Sequence, residues 1–501
     1  MPHLSRILHH RILLMALIAP AVAIADDSIT LPASLAPSLL MMNGSGEYDR
    51  WQGIGRLESH GNSNCTAVLI DTRADHSAPQ APAYVLTSGH CAYKQWQSDL
   101  VQSPQAMRGH IEFNFFRDTG TARKVHQLKQ LHWSSLRGRD LAIIELQAPL
   151  QQLIDEGITP LALAPAPPEV GTELLSVSAP LTANGYTLRV SSCPMDGLRD
   201  VVEHPYVWRD NLSNACTDVL PGSSGSPLLD RQDGRIVGIM GTTTRGATPE
   251  TRCSTDSPCE VKDGQIEWHP ATNYATRVDR LSACFTAGNL DINLEYCDLQ
   301  GATAITHRNP HYQPRMASHT PEAATWNLPL NLGSSHYYTK AVRDAMACED
   351  SKGYSSAHAS EPGTELNTSI DTATGMHMLC VLGIDHPAEH LSSAALKNVY
   401  ISAREVIDQP VQTSAEPAIT LLPDGRYNVQ LVNKEPGSVR HLFKFGAPEA
   451  TDCNDARGYK HHSYNFNISS RLLPVTLCTI GFDAADRPSQ PRSDLLQAPD
   501  A

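Results

Sequence analysis

Three short stretches hold residue types that together can activate a hydroxyl nucleophile. The first is Leu220-Pro221-Gly222-Ser223-Ser224-Gly225-Ser226-Pro227, a tight run of glycine, serine and proline that leads into Leu228-Leu229. A serine hydroxyl is a poor nucleophile unless it stands on a sharp turn, beside a base, with free backbone N–H groups to receive a developing oxyanion. Gly222 and Gly225 flank Ser224 and permit such a bend. Taken alone, this run reads equally well as a Gly/Ser turn between two strands. The second stretch, Tyr84-Val85-Leu86-Thr87-Ser88-Gly89-His90-Cys91-Ala92, is an apolar strand ending in a histidine beside a cysteine. The third, Arg139-Asp140-Leu141-Ala142-Ile143-Ile144-Glu145-Leu146, places an aspartate at the opening of a buried-looking strand. A base, a carboxylate to orient it and a hydroxyl are the parts of acyl transfer.

The elements around these residues are short strands. Trp51-Gln52-Gly53-Ile54-Gly55-Arg56-Leu57 reads as an opening strand and Cys65-Thr66-Ala67-Val68-Leu69-Ile70 as the next. Further strands recur at Phe113–Phe116 and Leu174–Val177, and Leu228-Leu229 returns through Asp233-Gly234 as Ile236–Met240. The three segments resemble the Thr-Ala-Ala-His-Cys, Asp-Ile-Ala-Leu-Leu and Gly-Asp-Ser-Gly-Gly-Pro segments of the trypsin-like (chymotrypsin-fold) serine peptidases. They follow the His, Asp, Ser chain order of that fold. The Gly-Ser-Ser-Gly-Ser-Pro form is similar to bacterial members, including the glutamyl endopeptidase group.

The resemblance implies an all-β double barrel and a serine endopeptidase acting on protein or peptide substrates without cofactor or metal. In it His90 is the general base, Asp140 orients His90, Ser224 is the nucleophile, and the N–H groups of Gly222 and Ser224 form the oxyanion hole. It also implies a substrate-binding role for Asp218, six residues before Ser224, as the floor of a pocket for arginine or lysine; a structural carboxylate is the alternative. Gly241, Thr242 and Thr243 follow the strand that pairs with the substrate backbone, and Val278, Leu281 and Phe285 fit the family's C-terminal helix. Four departures stand out. Ser223 replaces the aspartate that pairs with a newly cleaved N-terminus, and Leu220 replaces a pocket cysteine. Thr243 occupies a glycine position, where it narrows the pocket entrance, and Met240 replaces the histidine of the glutamyl group.

The chain is 501 residues long, enough for two or three domains, and opens with a secretory signal peptide over residues 1–25: Arg6 and Arg11, the apolar Ile12–Ala19, and cleavage after Ala25. Residues 26–46 read as an N-terminal segment or propeptide. The net charge of −14 becomes −16 without the leader, which gives no electrostatic footprint for nucleic acid, and no later stretch is long enough for an integral membrane segment. Twelve cysteines beyond the leader read as disulfides of a secreted or periplasmic protein. Neighbours pair as Cys65 with Cys91, Cys193 with Cys216, Cys253 with Cys259, Cys284 with Cys297, Cys348 with Cys380, and Cys453 with Cys478; the first resembles the family's histidine-loop bridge.

The peptidase domain spans 47–298 and a polar linker 299–324, in which His307, His311 and His319 are too dispersed to suggest a metal site. Two copies of one disulfide-containing, β-sandwich-like module follow, at 325–408 and 409–486, with a tail at 487–501. His336–Tyr354 superposes without a gap on His441–Tyr459, and Leu379–Asp385 matches Leu477–Asp483. Tyr354 and Tyr459 are candidates for a contact surface or for core packing, and the modules for binding a substrate or an extracellular surface. A rival reading keeps the fold but makes the protein a catalytically silent or zymogen-locked binding protein that acts through these modules.

Overall fold

The computed structural model describes residues 31–497 apart from position 33 and the segments 61–62, 74–79, 93–99, 102, 183–184, 300–304, 308–315, 319–322, 387–390, 408–416, 432–439, 462–464 and 483–487. The signal peptide, His311 and His319 lie outside the described residues. Among those described, no helix is long and apolar enough to cross a membrane.

Two closed six-stranded antiparallel barrels form the first part of the chain. Ile54–Ser59, Ser63–Ile70, Pro82–Thr87, Leu141–Pro149, Lys124–Ser135 and Gly109–Phe113 close the first. Glu173–Ser178, Pro227–Asp230, Ile236–Thr243, Asn273–Arg277, Tyr206–Asn214 and Arg189–Glu203 close the second. Alternation along each strand divides its side chains between two cores. Cys65, Ala67 and Leu69 fill the first barrel, whereas Val68 and Ile70 join Leu175, Val177, Leu229 and Ile236 between the barrels. Burial of both faces explains why these strands read as unbroken apolar runs.

The sequence expectations need several corrections. Trp51 lies in the 3-10 turn Asp49–Trp51, and the strand begins at Ile54. The expected C-terminal helix is only the 3-10 turn Leu281–Cys284. Ala287 and Gly288, both at positive φ, reverse the chain into a two-residue hairpin between Phe285–Thr286 and Asn289–Leu290, so helical spacing cannot continue. The N-terminal segment is built into the second barrel. Leu39 and Leu40 pair with Val190 and Arg189, and Leu35 and Met41 are buried in the core between the barrels.

Each C-terminal unit is a two-sheet sandwich. In the first, Ile305–His307, Leu328–Leu332 and Glu365–Leu366 face a five-stranded sheet centred on Gly375–Ile384, around Trp326, Leu330, Val381 and Tyr400. Strands Ile305–His307 and Met316–Ser318 come from the segment read as linker, and Arg492–Leu496, read as tail, is an edge strand of the second unit. The ungapped repeat also needs correction. Lys340 lies across from Cys380 and Lys444 across from Cys478, so the matching lysines are one residue out of the ungapped frame, and the second copy holds one more residue before its first cysteine. In both copies the tyrosine hydroxyl donates to a cysteine carbonyl, Tyr354 to Cys348 and Tyr459 to Cys453, each at 2.8 Å. The lysines lie over the rings at 5.5 and 4.6 Å. Both tyrosines are half-buried and bonded to the backbone of their own disulfide loops. All six disulfides join the neighbouring cysteines paired above.

The first sandwich packs on the second barrel. Val202, Val207 and the Cys253–Cys259 bridge share one core with Met376, Met378, Cys380 and Ile401. Buried Arg209 reaches across to Glu349 at 3.1 Å and to the carbonyls of Leu396 and Lys397. At the same junction Asp200 Oδ2 and Asp344 Oδ1 both accept from Met346 N–H, at 3.1 and 3.0 Å. Burial, with the charges of Asp344 and Asp210, pushes the Asp200 carboxyl up to about 7 against the Asp210 N–H. A carboxyl raised in the folded state stabilises it below the unfolded pKa, and that contribution is lost as pH rises through about 7. Asp200→Asn is therefore expected to raise the melting temperature at pH 8 by about 2–4 °C and to give no gain at pH 4. Thermal melts across that range check the sign.

Candidate active site

The strand Pro82–Thr87 ends in a single helical turn, Gly89–Ala92, that carries His90 and is tied back by the Cys65–Cys91 bridge. Asp140 precedes the neighbouring strand Leu141–Pro149. Its carboxylate is fully buried and holds the histidine twice: Oδ2 meets His90 Nδ1 at 2.7 Å, and Oδ1 accepts from His90 N–H at 3.0 Å. The Thr276 hydroxyl, from the second barrel, accepts from Asp140 N–H and donates to Asp140 O, both at 3.1 Å. Gly241 lies alongside, where a Cβ would stand 3.2 Å from Asp140 Oδ2. Burial opposes a charged imidazole, but the charge and hydrogen bond of Asp140, helped by Glu203 and Asp256, outweigh it and hold the His90 pKa above its ordinary value. The His90 side chain stays 40% exposed, open to a reacting group.

Ser224 comes from the other barrel, half-buried on the turn before Pro227–Asp230. Gly222 and Gly225 sit at φ +100° and +81°. A Cβ on Gly225 would overlap Thr87 Oγ1 and Thr66 O, so glycine is demanded here by close approach as well as by conformation. Around the turn, Ser223, Gly225 and Ser226 donate their N–H groups to Leu220 O, Met240 O and Ser223 O. Among the described residues the N–H groups of Gly222 and Ser224 have no partner. They are two backbone donors beside one hydroxyl.

Thr66, which sequence reasoning passed over, joins this turn to the first barrel. Its N–H donates to Ser224 O at 2.8 Å, its hydroxyl donates to Gly222 O at 2.8 Å, and that hydroxyl accepts from Ala179 N–H at 3.1 Å. Thr87 donates to Thr66 O at 2.9 Å and Ser88 to Met240 O at 2.7 Å. The one signal in the sequence is a buried-strand threonine flanked by apolar residues.

The residues read as substrate-binding separate into two groups. Gly241 and Thr242 lie on the strand beside Asp140, where pairing with Asn273–Arg277 shifts between Met240 and Thr242. The Thr243 hydroxyl is turned sideways to Asn273 Oδ1 at 2.8 Å. Asp218 faces the N-terminal segment: its Oδ2 accepts from Ser38 Oγ at 2.6 Å and Ser38 N–H at 3.0 Å. Arg189 in turn donates to Ser38 Oγ at 2.7 Å and Ser38 O at 2.8 Å. The Ser38 hydroxyl bond, opposed by burial and reinforced by the Ser38 N–H and Arg189, holds the Asp218 carboxyl below its ordinary value. Asp218 thereby bonds this segment to the loop that leads to Ser224.

Residues 65–239 match the family model of the trypsin-like peptidase domain. Similar solved structures include Rv3671c from M. tuberculosis in an inactive form, 14% identical with a TM-score of 0.28, covering 49% of this chain and 93% of that one. Neuropsin from mouse brain is 14% identical with a TM-score of 0.31 over 49% and 95% of the two chains. Human heparin binding protein is 13% identical with a TM-score of 0.32 over 48% and 91%. No curated protein matches the sequence.

Two outcomes are expected from these contacts. Thr66→Val, nearly isosteric, leaves the Gly222 carbonyl and Ala179 N–H without their partner and is expected to cost about 1–3 kcal/mol in urea denaturation. Asp218→Asn is expected to lower the melting temperature while leaving the residue preference of any cleavage unchanged; loss of cleavage after arginine and lysine in a peptide library would restore Asp218 to the pocket.

Proposed function

We propose that this protein, whose residues 65–239 match the family model of the trypsin-like peptidase domain, is a secreted or periplasmic serine endopeptidase that works through an acyl-enzyme. The observation that carries the reading is the 2.7 Å contact of His90 Nδ1 with buried Asp140, facing a turn on which Ser224 stands with two unpaired backbone donors. With Nδ1 occupied, the imidazole presents Nε2 to the Ser224 hydroxyl. His90 takes the serine proton as the hydroxyl attacks the peptide carbonyl, and the Gly222 and Ser224 N–H groups receive the oxyanion. The protonated imidazole then gives that proton to the departing amine, and a water repeats the sequence to release the acid. Asp140 stabilises the imidazolium that exists between these transfers. No hydrogen bond joins Ser224 Oγ to His90 in the resting geometry, as is common before substrate aligns the pair.

Six disulfides support an oxidising compartment, and the two sandwiches supply surface for holding a substrate or an extracellular ligand. A fluorophosphonate probe is expected to label the secreted protein and not Ser224→Ala; absence of labelling in the wild type would sink the enzyme reading. Asp140→Asn is expected to lower kcat by about 10⁴. Because His90 acts as a base only when neutral and its pKa is raised, the acid limb of kcat/KM is expected above about pH 6.5. A pH–rate profile checks it.

A further inference from the structure

Near His90 lies a buried carboxylate that acyl transfer does not use. Glu203 ends the strand Arg189–Glu203 and is 8% exposed. Its Oε1 accepts from Asp256 N–H at 2.9 Å, in the loop closed by the Cys253–Cys259 bridge. Its Oε2 is buried without a partner at full hydrogen-bonding geometry, the Thr242 hydroxyl lying close to the carboxylate as a weak donor, and no cation pairs with it among the described residues. A buried acceptor left this way carries a desolvation penalty that is recovered when a donor arrives.

The position of this carboxylate says where such a donor would come from. Burial pushes the Glu203 carboxyl up to about 7; the nearby Thr242 hydroxyl, the Asp256 N–H and His90 favour its ionised form, and the charge of Asp256 opposes it. The charges of Glu203 and Asp256 in turn add, after Asp140, to the rise of the His90 pKa. Thr242 directly follows Gly241, the residue that abuts Asp140. Glu203 closes a hairpin with Tyr206, next to Val207, whose carbonyl accepts from Gly138 N–H at 3.1 Å, and Gly138 lies two residues before Asp140, so the carboxylate stands on the Asp140 side of the cleft.

We infer that Glu203 forms an anionic subsite for a lysine or arginine side chain of the substrate, at the residue just before the one that is acylated. This rests on the peptidase reading. A substrate extended along Gly241–Thr243 alternates its side chains between two faces. The acylated residue turns into the specificity pocket, and the residue before it turns the other way, toward His90. A basic side chain there brings the N–H donors that Oε2 lacks and makes a charge-assisted bond. An acidic one meets both Glu203 and Asp256.

The test uses the full secreted protein and two peptides that differ only in lysine or norleucine at that position. The ratio of their kcat/KM values is read at pH 8 and pH 6. His90 titrates in the free enzyme and therefore identically for both peptides, so it cancels from the ratio; the other charged group facing Glu203 among the described residues is Asp256, whose N–H it accepts. The expected ratio is about tenfold or more at pH 8. It should fall several-fold at pH 6 as Glu203 gains a proton, and Glu203→Gln should bring it close to one at both pH values. A wild-type ratio near one at both pH values, in protein that a fluorophosphonate labels, overturns the subsite, as does an unchanged preference in Glu203→Gln. Protein that does not label at all overturns the peptidase reading and the subsite with it.

Discussion

The geometry around Ser224 depends on one polar contact between two apolar barrels. Thr66 is fully buried and holds the carbonyls of both Gly222 and Ser224, while Gly225, lacking a Cβ, lets the turn sit against Thr66 O and Thr87. Apolar packing between the barrels is strong but not directional, so by itself it would leave the turn free to slide along the surface. Hydrogen bonds in a water-free interior are directional and expensive to break, and they remove that freedom. Thr276 does the same on the opposite side, bonding to the backbone of Asp140 from the second barrel. Histidine and aspartate come from one barrel and serine from the other. The two threonines keep the sets in register.

A second constraint comes from the N-terminal segment. Leu35 and Met41 contribute to the core between the barrels, and Ser38 bridges Arg189 and Asp218. Asp218 stands at φ +59° at the start of the loop leading to Ser224, a conformation that costs energy for a residue with a side chain. The Ser38 and Arg189 contacts offset this cost. The animal trypsin-like peptidases that the sequence resembles carry, at the position of Ser223, an aspartate that pairs with a newly cleaved N-terminus. Here Ser223 Oγ accepts from Leu220 N–H and meets Ser178 Oγ, and the contact with the N-terminal segment is made by Asp218, six residues before Ser224.

The three chemical segments were legible in the sequence because each lies at the end of an apolar strand and is built from residues that local rules recognise: Gly222 and Gly225 around Ser224, His90 beside a cysteine, Asp140 opening a buried run. Both barrels were legible for the same reason. Contacts set by tertiary structure were not. Asp218 has the right spacing for a pocket floor, but spacing cannot say that Ser38, 180 residues away, takes its carboxylate. The segments 305–307 and 316–318 read as linker because their apolar residues are few and proline surrounds them, yet each is an edge strand whose hydrogen bonds come from a neighbour. The one-residue shift between the repeats was hidden because His336 and His441 align by identity, whereas the lysines facing the disulfides align by function.

Glu203 shows why the first sandwich and the cleft have to be considered together. Val202, its neighbour along the strand, and the Cys253–Cys259 bridge that carries Asp256 are both packed into the core shared with Met376, Met378 and Cys380. The two acids beside His90 therefore stand on elements whose opposite faces are covered by the sandwich. A carboxylate with an unpartnered oxygen would normally relax toward water, and a disulfide loop at a protein surface would let it do so. The apolar layer and Arg209, bonded across the junction, back both elements from the sandwich side. In this chain the appended sandwich is part of the wall that keeps negative charge close to the base, and the electrostatics of the cleft cannot be assigned to the barrels alone.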